Sequence, residues 1–280
     1  MHRQFELTAM TGREEELLVR GNTESASIVT DVLSRCLRTL GTISPVTPEV
    51  VRGMLVADRH FLLLQLRRAA FGDLVRGSLL CPWPDCGRRV SLEFSLAHVP
   101  VEEASRRAPV HSMTLSAEAL GDGEAACAEV HFRLPDGSDQ EELSGLLAEN
   151  EARALTLLLS RCITRIGPYG PPGEQRLAAL SPQARAEIEE RMERLAPKVE
   201  QTVETECAEC ARTFLVPFDV QRFFFGDLRA DAALLYREVH HLAFHYHWSE
   251  REIMDMPRDK RRTYIDLLDN VLVEVQSHGT

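Results

Sequence analysis

The chain has 280 residues, a formal net charge of −11, and 44% hydrophobic against 27% charged residues, the balance of an ordinary globular protein. Its acidity argues against general affinity for nucleic acid or anionic membrane, which depends on cationic surface. No apolar run reaches the roughly 18–20 residues that span a bilayer, and Met1-His-Arg-Gln-Phe-Glu-Leu7 lacks the apolar core of a signal peptide, so a cytoplasmic, reducing setting is expected.

Near the start, Thr11-Gly-Arg-Glu14 has the pattern of a capping box and opens a short helix ending at Gly21. Ile28, Val29, Val32, Leu33, Cys36, Leu37 and Leu40 then recur at helical spacing, with Gly41 as the stop. Thr47-Pro48-Glu49 starts another helical stretch with Pro in the first turn, and Asp58 to Phe71 is a further helix ended by Gly72. Leu74–Leu80 and the alternating Val90, Leu92, Phe94 and Leu96 read as strands around Cys81-Pro-Trp-Pro-Asp-Cys86-Gly87. This is the form of a zinc knuckle, with Gly87 where positive φ is needed.

Much of this returns later. Leu33-Ser-Arg-Cys36 reappears as Leu159-Ser-Arg-Cys162, 126 residues on, and Cys207-Ala-Glu-Cys210 follows Cys81 at the same offset. Phe214, Val216, Phe218 and Val220 continue the alternation after this second pair, although Ala211 stands where the first knuckle has Gly87. The reading is a tandem duplication: copy one over 1–99, a β-rich connector over 100–131, copy two over 132–222 and a C-terminal helical segment over 223–280. The expected fold class is α+β, predominantly helical, each copy ending in a knuckle hairpin.

In the connector, Val110–Leu115 and Cys127–Phe132 look like strands around Gly121-Asp-Gly123. Gly167–Gly173 reads as an exposed loop, and Ser181-Pro182 opens a charged helix. Cys36 and Cys162 lie on apolar helix faces and read as core residues, whereas Cys127 has no partner at metal spacing. The segment from Phe223 shows no counterpart in copy one. It runs through a helix to His240, His241, His245 and His247, a second capping box at Ser249-Glu-Arg-Glu252, a break at Pro257 and a final amphipathic helix.

Two cysteine pairs at short spacing make two halves of a tetrahedral site, so Cys81, Cys86, Cys207 and Cys210 are expected to share one Zn²⁺ joining the copies. Four thiolates leave no open coordination position, which makes such a site structural. Two disulfides or two unrelated reduced pairs are the alternatives. His241 and His245, at i and i+4, lack a third ligand at recognised spacing, so packing is the favoured reading over a metal-dependent hydrolase. Phosphate-loop, nucleophile-elbow, dinucleotide and metalloprotease motifs are all missing, and the chain reads as a non-enzymatic binding or assembly protein.

Several stretches resemble the T4-type baseplate hub assembly family of contractile phage tails and related bacterial injection systems. They are Phe5–Leu17, the knuckle Cys81–Gly87, Phe224-Phe-Gly-Asp-Leu228 and, most of all, Leu235–Ile253 followed by Met256-Pro-Arg. The resemblance implies an assembly factor or minor component at the tube–baseplate junction, with hub or spike subunits as partners and possible incorporation into the particle. On that view Phe225, Tyr246, Trp248 and Met254 are candidate contact residues, aromatic and Met side chains being favoured at interfaces. A zinc-ribbon adaptor for nucleic acid or a regulatory protein is the alternative, set against only Arg88, Arg89 and Arg212 near the knuckles.

Overall fold

Residues near the start alternate between short strands and capped helices, and each boundary has a local cause. Strand β1 (Phe5–Leu7) precedes helix α1 (Gly12–Arg20), where the Thr11 backbone N–H and hydroxyl both donate to Glu14, at 2.9 and 2.6 Å. Helix α2 (Ser27–Cys36) leads into strand β2 (Leu37–Leu40). Thr47 caps α3 (Pro48–Arg52) by accepting from Val50 N–H, and α4 (Val56–Phe71) ends at Gly72, whose φ of 81° suits glycine. The hairpin β3 (Leu74–Leu80) and β4 (Arg89–Ser95) follows. The computed structural model describes residues 4–20, 26–104, 108–121, 128–199, 202–217 and 220–278. It is a predominantly helical α+β protein whose strands form small antiparallel sheets.

The helix expected to run to Leu40 stops at Cys36. Leu37–Leu40 instead pairs with β1, Phe5 opposite Leu40 and Leu7 opposite Leu37, with a bulge between Glu6 and Leu7. Backbone groups from the distant strand replace helical bonds: Thr8 N–H donates to Cys36 O at 2.8 Å, and Gly41 N–H to Gln4 O at 2.7 Å.

After β5 (Val101–Glu102), β6 (His111–Thr114) and α5 (Ala117–Leu120), the same series recurs. It comprises β7 (Glu129–Phe132), α6 (Gly137–Glu149), α7 (Glu151–Cys162), β8 (Ile163–Ile166), α8 (Glu174–Ala178), α9 (Pro182–Leu195), β9 (Lys198–Val199), β10 (Thr202–Glu206) and β11 (Thr213–Pro217). Details recur with it. A bulge falls between His131 and Phe132, Arg133 N–H donates to Cys162 O at 2.9 Å, and Gly167 repeats the positive φ of Gly41, 55° against 58°. The connector supplies a third strand here, β6 lying outside β7, and β7 itself runs across the expected boundary at 131. Gly21, Gly123 and Cys127 lie outside the described residues.

The cap of α6 carries a buried charge. Asp136 and Asp139 form a capping box, and Asp139, 1% exposed, also accepts from Arg133 at 2.6 and 2.8 Å and from Arg161 at 2.7 Å. Burial opposes its ionisation, but the two guanidiniums outweigh burial and hold the carboxyl below its usual range. A lowered pKa gives stability that is present above the unfolded value, about 3.9, and lost as pH falls through the folded one. Asp139→Asn is expected to cost about 2–3 kcal/mol at neutral pH. Urea melts at stepped pH should show the penalty shrinking toward acid.

Three apolar clusters organise these elements. Val29, Val32, Leu33, Leu63 and Leu66 build the first, together with Val220, Phe224 and Phe225 of helix α10 (Val220–Tyr246). Val130, Phe132, Leu159, Ile163, Leu177 and Ile188 build the second. Leu235, Val239, Leu242, Ile253 and Met254 build the third, which joins α10 to α11 (Glu250–Met254) and α12 (Arg258–His278). No described helix is long and apolar enough to cross a membrane.

The C-terminal segment does have a counterpart. Short helices α3, α8 and α11 each span five residues, and each is followed after three residues by a long helix, α4, α9 or α12. The fourth residue of each short helix, Val51, Leu177 or Ile253, is 0% exposed. The residue after each, Gly53, Ala179 or Asp255, is αR and donates its N–H to the helix behind it. What differs is the lead-in, because α10 continues as helix where β2 and β8 are strands.

Gly12, at the start of α1, lies against α11. A Cβ there would meet Met254 Sδ at 2.8 Å and the Met254 backbone at 3.1 and 3.2 Å. Because backbone cannot yield as a side-chain tip does, Gly12→Val is expected to cost about 1–3 kcal/mol. Thermal melts of the variant beside Gly145→Val, a helical glycine where a Cβ meets nothing within 4 Å, would isolate the steric effect.

Candidate metal centre

Each half of the centre is a turn between antiparallel strands. In β3–β4, Leu80 pairs with Arg89, and Cys81 N–H donates to Arg88 O at 2.8 Å. In β10–β11, Glu206 pairs with Thr213, and Cys207 N–H donates to Arg212 O at 3.1 Å. The residue after the second cysteine is left-handed in both turns, Gly87 at φ 55° and Ala211 at φ 53°. Ala211 therefore adopts the glycine conformation and bears its strain, of order 1 kcal/mol.

The two turns bring Cys81, Cys86, Cys207 and Cys210 together, all four sulfurs lying within 4.8 Å of one another. Cys81 Sγ is 3.9 Å from Cys210 Sγ, and Cys86 Sγ is 3.8 Å from Cys207 Sγ. Four sulfurs bound to zinc at about 2.3 Å stand about 3.8 Å apart along each tetrahedral edge. The donor set fits that ion in number, chemistry and spacing. A disulfide needs sulfurs about 2.05 Å apart, and all four thiols are free. Cys81 and Cys207 are buried among Val90, Leu79 and Phe214, whereas Cys86 and Cys210 are partly exposed.

Electrostatics around the thiols is uneven. Burial pushes Cys81 up to about 12, while a backbone hydrogen bond from Arg212 leads the effects that bring Cys210 down to about 7. A divalent ion would supply the charge that lets all four lose their protons together. The turns also grip one another directly. Arg212 pairs with Asp85, and its guanidinium lies 4.9 Å from the Trp83 ring centroid. The place of Arg212 beside a cysteine turn is legible in the sequence; its partners, 127 and 129 residues away, are not.

The remaining candidates fall elsewhere. Cys36 and Cys162 are core residues at 1% and 0% exposure, and burial raises both thiols to about 12. His241 Nε2 is 3.1 Å from Asp269, and its ring centroid is 4.9 Å from that of His245. Among the described residues the four cysteines form the one group of metal-binding geometry. Phe225 and Met254, at 2% and 4% exposure, are each enclosed by the rest of the chain, Phe225 against Phe224 and Met254 over Gly12. Tyr246 and Trp248 are partly exposed and stacked on each other at 4.6 Å, with Tyr264 edge-on to Trp248.

Comparison with known families now bears on this geometry. The family model described as T4 bacteriophage base plate protein matches residues 2–225, which takes in both knuckles. The chain belongs to that family. The match ends before Leu235–Ile253, so membership rests on the paired stretches and not on the segment where the resemblance is densest. No curated protein matches the chain, and no solved structure does. A baseplate family points to protein partners in a phage tail particle.

Proposed function

We propose that this chain is a non-enzymatic assembly factor or minor structural component of the baseplate hub in a contractile phage-tail-like particle. In this reading one structural Zn²⁺, held by Cys81, Cys86, Cys207 and Cys210, joins two copies of a duplicated unit. The observation that carries it is the approach of four thiols from hairpins 126 residues apart in a baseplate-family chain. Zinc bound by four thiolates has no position for substrate, so its contribution is to hold Cys81 and Cys207 in one place. Recurrence of bulges, caps and left-handed turns at one offset supports the duplication.

Hub or spike subunits are the partners this role requires, with Tyr246 and Trp248 as contact residues of the C-terminal segment. The nucleic-acid adaptor is less well supported, since Arg212 is engaged by Asp85 and the chain carries a net charge of −11. Quantitative mass spectrometry on purified sheathed particles, and on tagged protein drawn from soluble lysate, tests the role. Stoichiometric presence in particles would mark a baseplate component. A soluble pool bound to hub or spike subunits would mark an assembly factor. Finding tail proteins with neither fraction would overturn the proposal.

A further inference from the structure

Two of the three short-helix/long-helix pairs hold the start of another helix, and the holding follows one pattern. At the first, Thr11 bridges Pro257, Gly12 packs on Met254, and Arg261 binds Glu15 of α1 through two bonds of 2.8 Å. At the second, Asp136 bridges Leu55, and Gly137 N–H donates to Met54 O at 3.0 Å. Arg59 and Arg52 there reach Glu141 of α6 at 3.7 and 3.0 Å. Each guest begins with a capped glycine, because a Cβ would strike the host: one on Gly137 would fall 1.6 Å from Arg59 Nη1. Each guest carries a carboxylate one turn on, Glu15 as the fourth residue of α1 and Glu141 as the fifth of α6. Each host supplies an arginine as the fourth residue of its long helix, and Arg59 and Arg261 are both 0% exposed.

The third pair, α8 and α9, has the same host features, and among the described residues no guest of this kind sits on it. Arg185 is the fourth residue of α9, and it donates to Leu177 O at 2.7 Å and to Thr156 Oγ1 at 3.3 Å. Among the described residues no carboxylate stands within 4.0 Å of it, although Glu189, one turn on in α9, lies near enough to interact with its charge, and its Nε is buried with no acceptor. Positions that α1 covers in the α11–α12 pair are open here, while their equivalents in α3–α4, Arg52 and Val56, are partly exposed. Ala178 is exposed where Met254 is buried, and Pro182 is exposed where Arg258 is buried. Helix α5 meets α9 through Ser181 and Glu187, whereas Arg185 donates to Thr156 of α7.

We propose that the face of α8 and α9 around Ala178, Pro182 and Arg185 is a docking seat for the capped N-terminus of a helix from a different protein. The guest it fits begins with a Thr- or Asp-capped glycine and carries a carboxylate as its fourth or fifth residue. Both helices of this type in the chain are already held in its own joints, which argues against a second copy as the guest. The inference leans on the baseplate reading only in expecting a protein as the natural occupant, and it is independent of the metal.

A labelled peptide of residues 132–149, carrying Asp136, Gly137 and Glu141, is the probe, titrated into the full chain by fluorescence anisotropy. Arg185→Glu should weaken binding by at least about tenfold, as should Glu141→Lys in the peptide. A Glu141→Arg peptide should regain affinity for the Arg185→Glu chain. Ala178→Asp, on an exposed position, repeats the test should Arg185→Glu fold poorly. Absence of peptide binding, or equal binding by the variants, would overturn the proposal. So would a concentration-dependent dimer that both variants abolish, since that would give the seat to a second copy. Particle mass spectrometry is untouched by any of these outcomes, so this inference and the baseplate reading fail separately.

Discussion

Cys207→Ser is expected to abolish metal binding and to lower the melting temperature of the full chain more than any other single thiol change. Cys207 is 0% exposed, its sulfur lies 3.8 Å from that of Cys86, and among the described residues no fifth ligand joins the group to replace it. Structural zinc contributes an apparent ~10–16 kcal/mol to small zinc-dependent folds. Loss of even ~4 kcal/mol would lower the midpoint by roughly 8–16 °C in a chain of this size. Cys36→Ser is the control, a thiol of equal burial in an apolar core. It should keep the metal and show only a local cost, so the difference between the two variants isolates the ion from simple packing. A Cys207→Ser protein that retained metal and melted with the parent would contradict the account.

Arg261→Ala should be nearly as damaging, for a different reason. Arg261 is 0% exposed and satisfies Glu15 twice at 2.8 Å, Glu238 at 3.1 Å and Met256 O at 2.9 Å. Removing Arg261 leaves the buried Glu15 to the longer ion pair with Arg258 at 3.8 Å, and breaking a buried pair in this way costs about 3–5 kcal/mol. Against a total stability of about 5–15 kcal/mol, that is a large fraction. The pH dependence identifies the group left behind. Burial already raises the Glu15 carboxyl despite Arg261, and loss of the guanidinium raises it further. A raised folded pKa gives stability that is present below the unfolded value, about 4.3, and lost as pH rises through the folded one. The variant should therefore lose more stability at pH 8 than at pH 5, relative to the parent. Adding Glu15→Gln should restore part of it, and urea melts of the two variants at both pH values would show whether it does.

How much of this was readable in advance depends on the range over which each feature is determined. Capping boxes at Thr11 and Ser249, the stop at Gly72 and the break at Pro257 are local, and each falls where the residues place it. The convergence of the four cysteines was legible because cysteine spacing is itself the signal. Ala211 was not, since nothing in alanine announces a φ of 53°; the turn imposes it. β2 was hidden for a related reason. Leu37 and Leu40 continue the helical spacing of α2, and only pairing with β1, thirty residues earlier, draws them into a strand.

The arginines were least visible. Arg59, Arg185 and Arg261 sit in polar-looking first turns, and the acids that bury two of them lie 82 and 246 residues away. The likeness of α11–α12 to α3–α4 was concealed in the same manner. The short-helix lengths, the three-residue gaps and the buried fourth residues match, but Thr47-Pro-Glu-Val-Val51 and Ser249-Glu-Arg-Glu-Ile253 share little more than a cap, a carboxylate and an apolar position.

X-ray absorption at the zinc edge on the purified full chain, with metal content measured on the same sample, tests the central claim most directly. The account predicts one zinc per chain with four sulfur ligands at about 2.3 Å. A chain isolated without zinc that nevertheless melts as the metal-loaded protein does, or a zinc bound by nitrogen and oxygen, would contradict it.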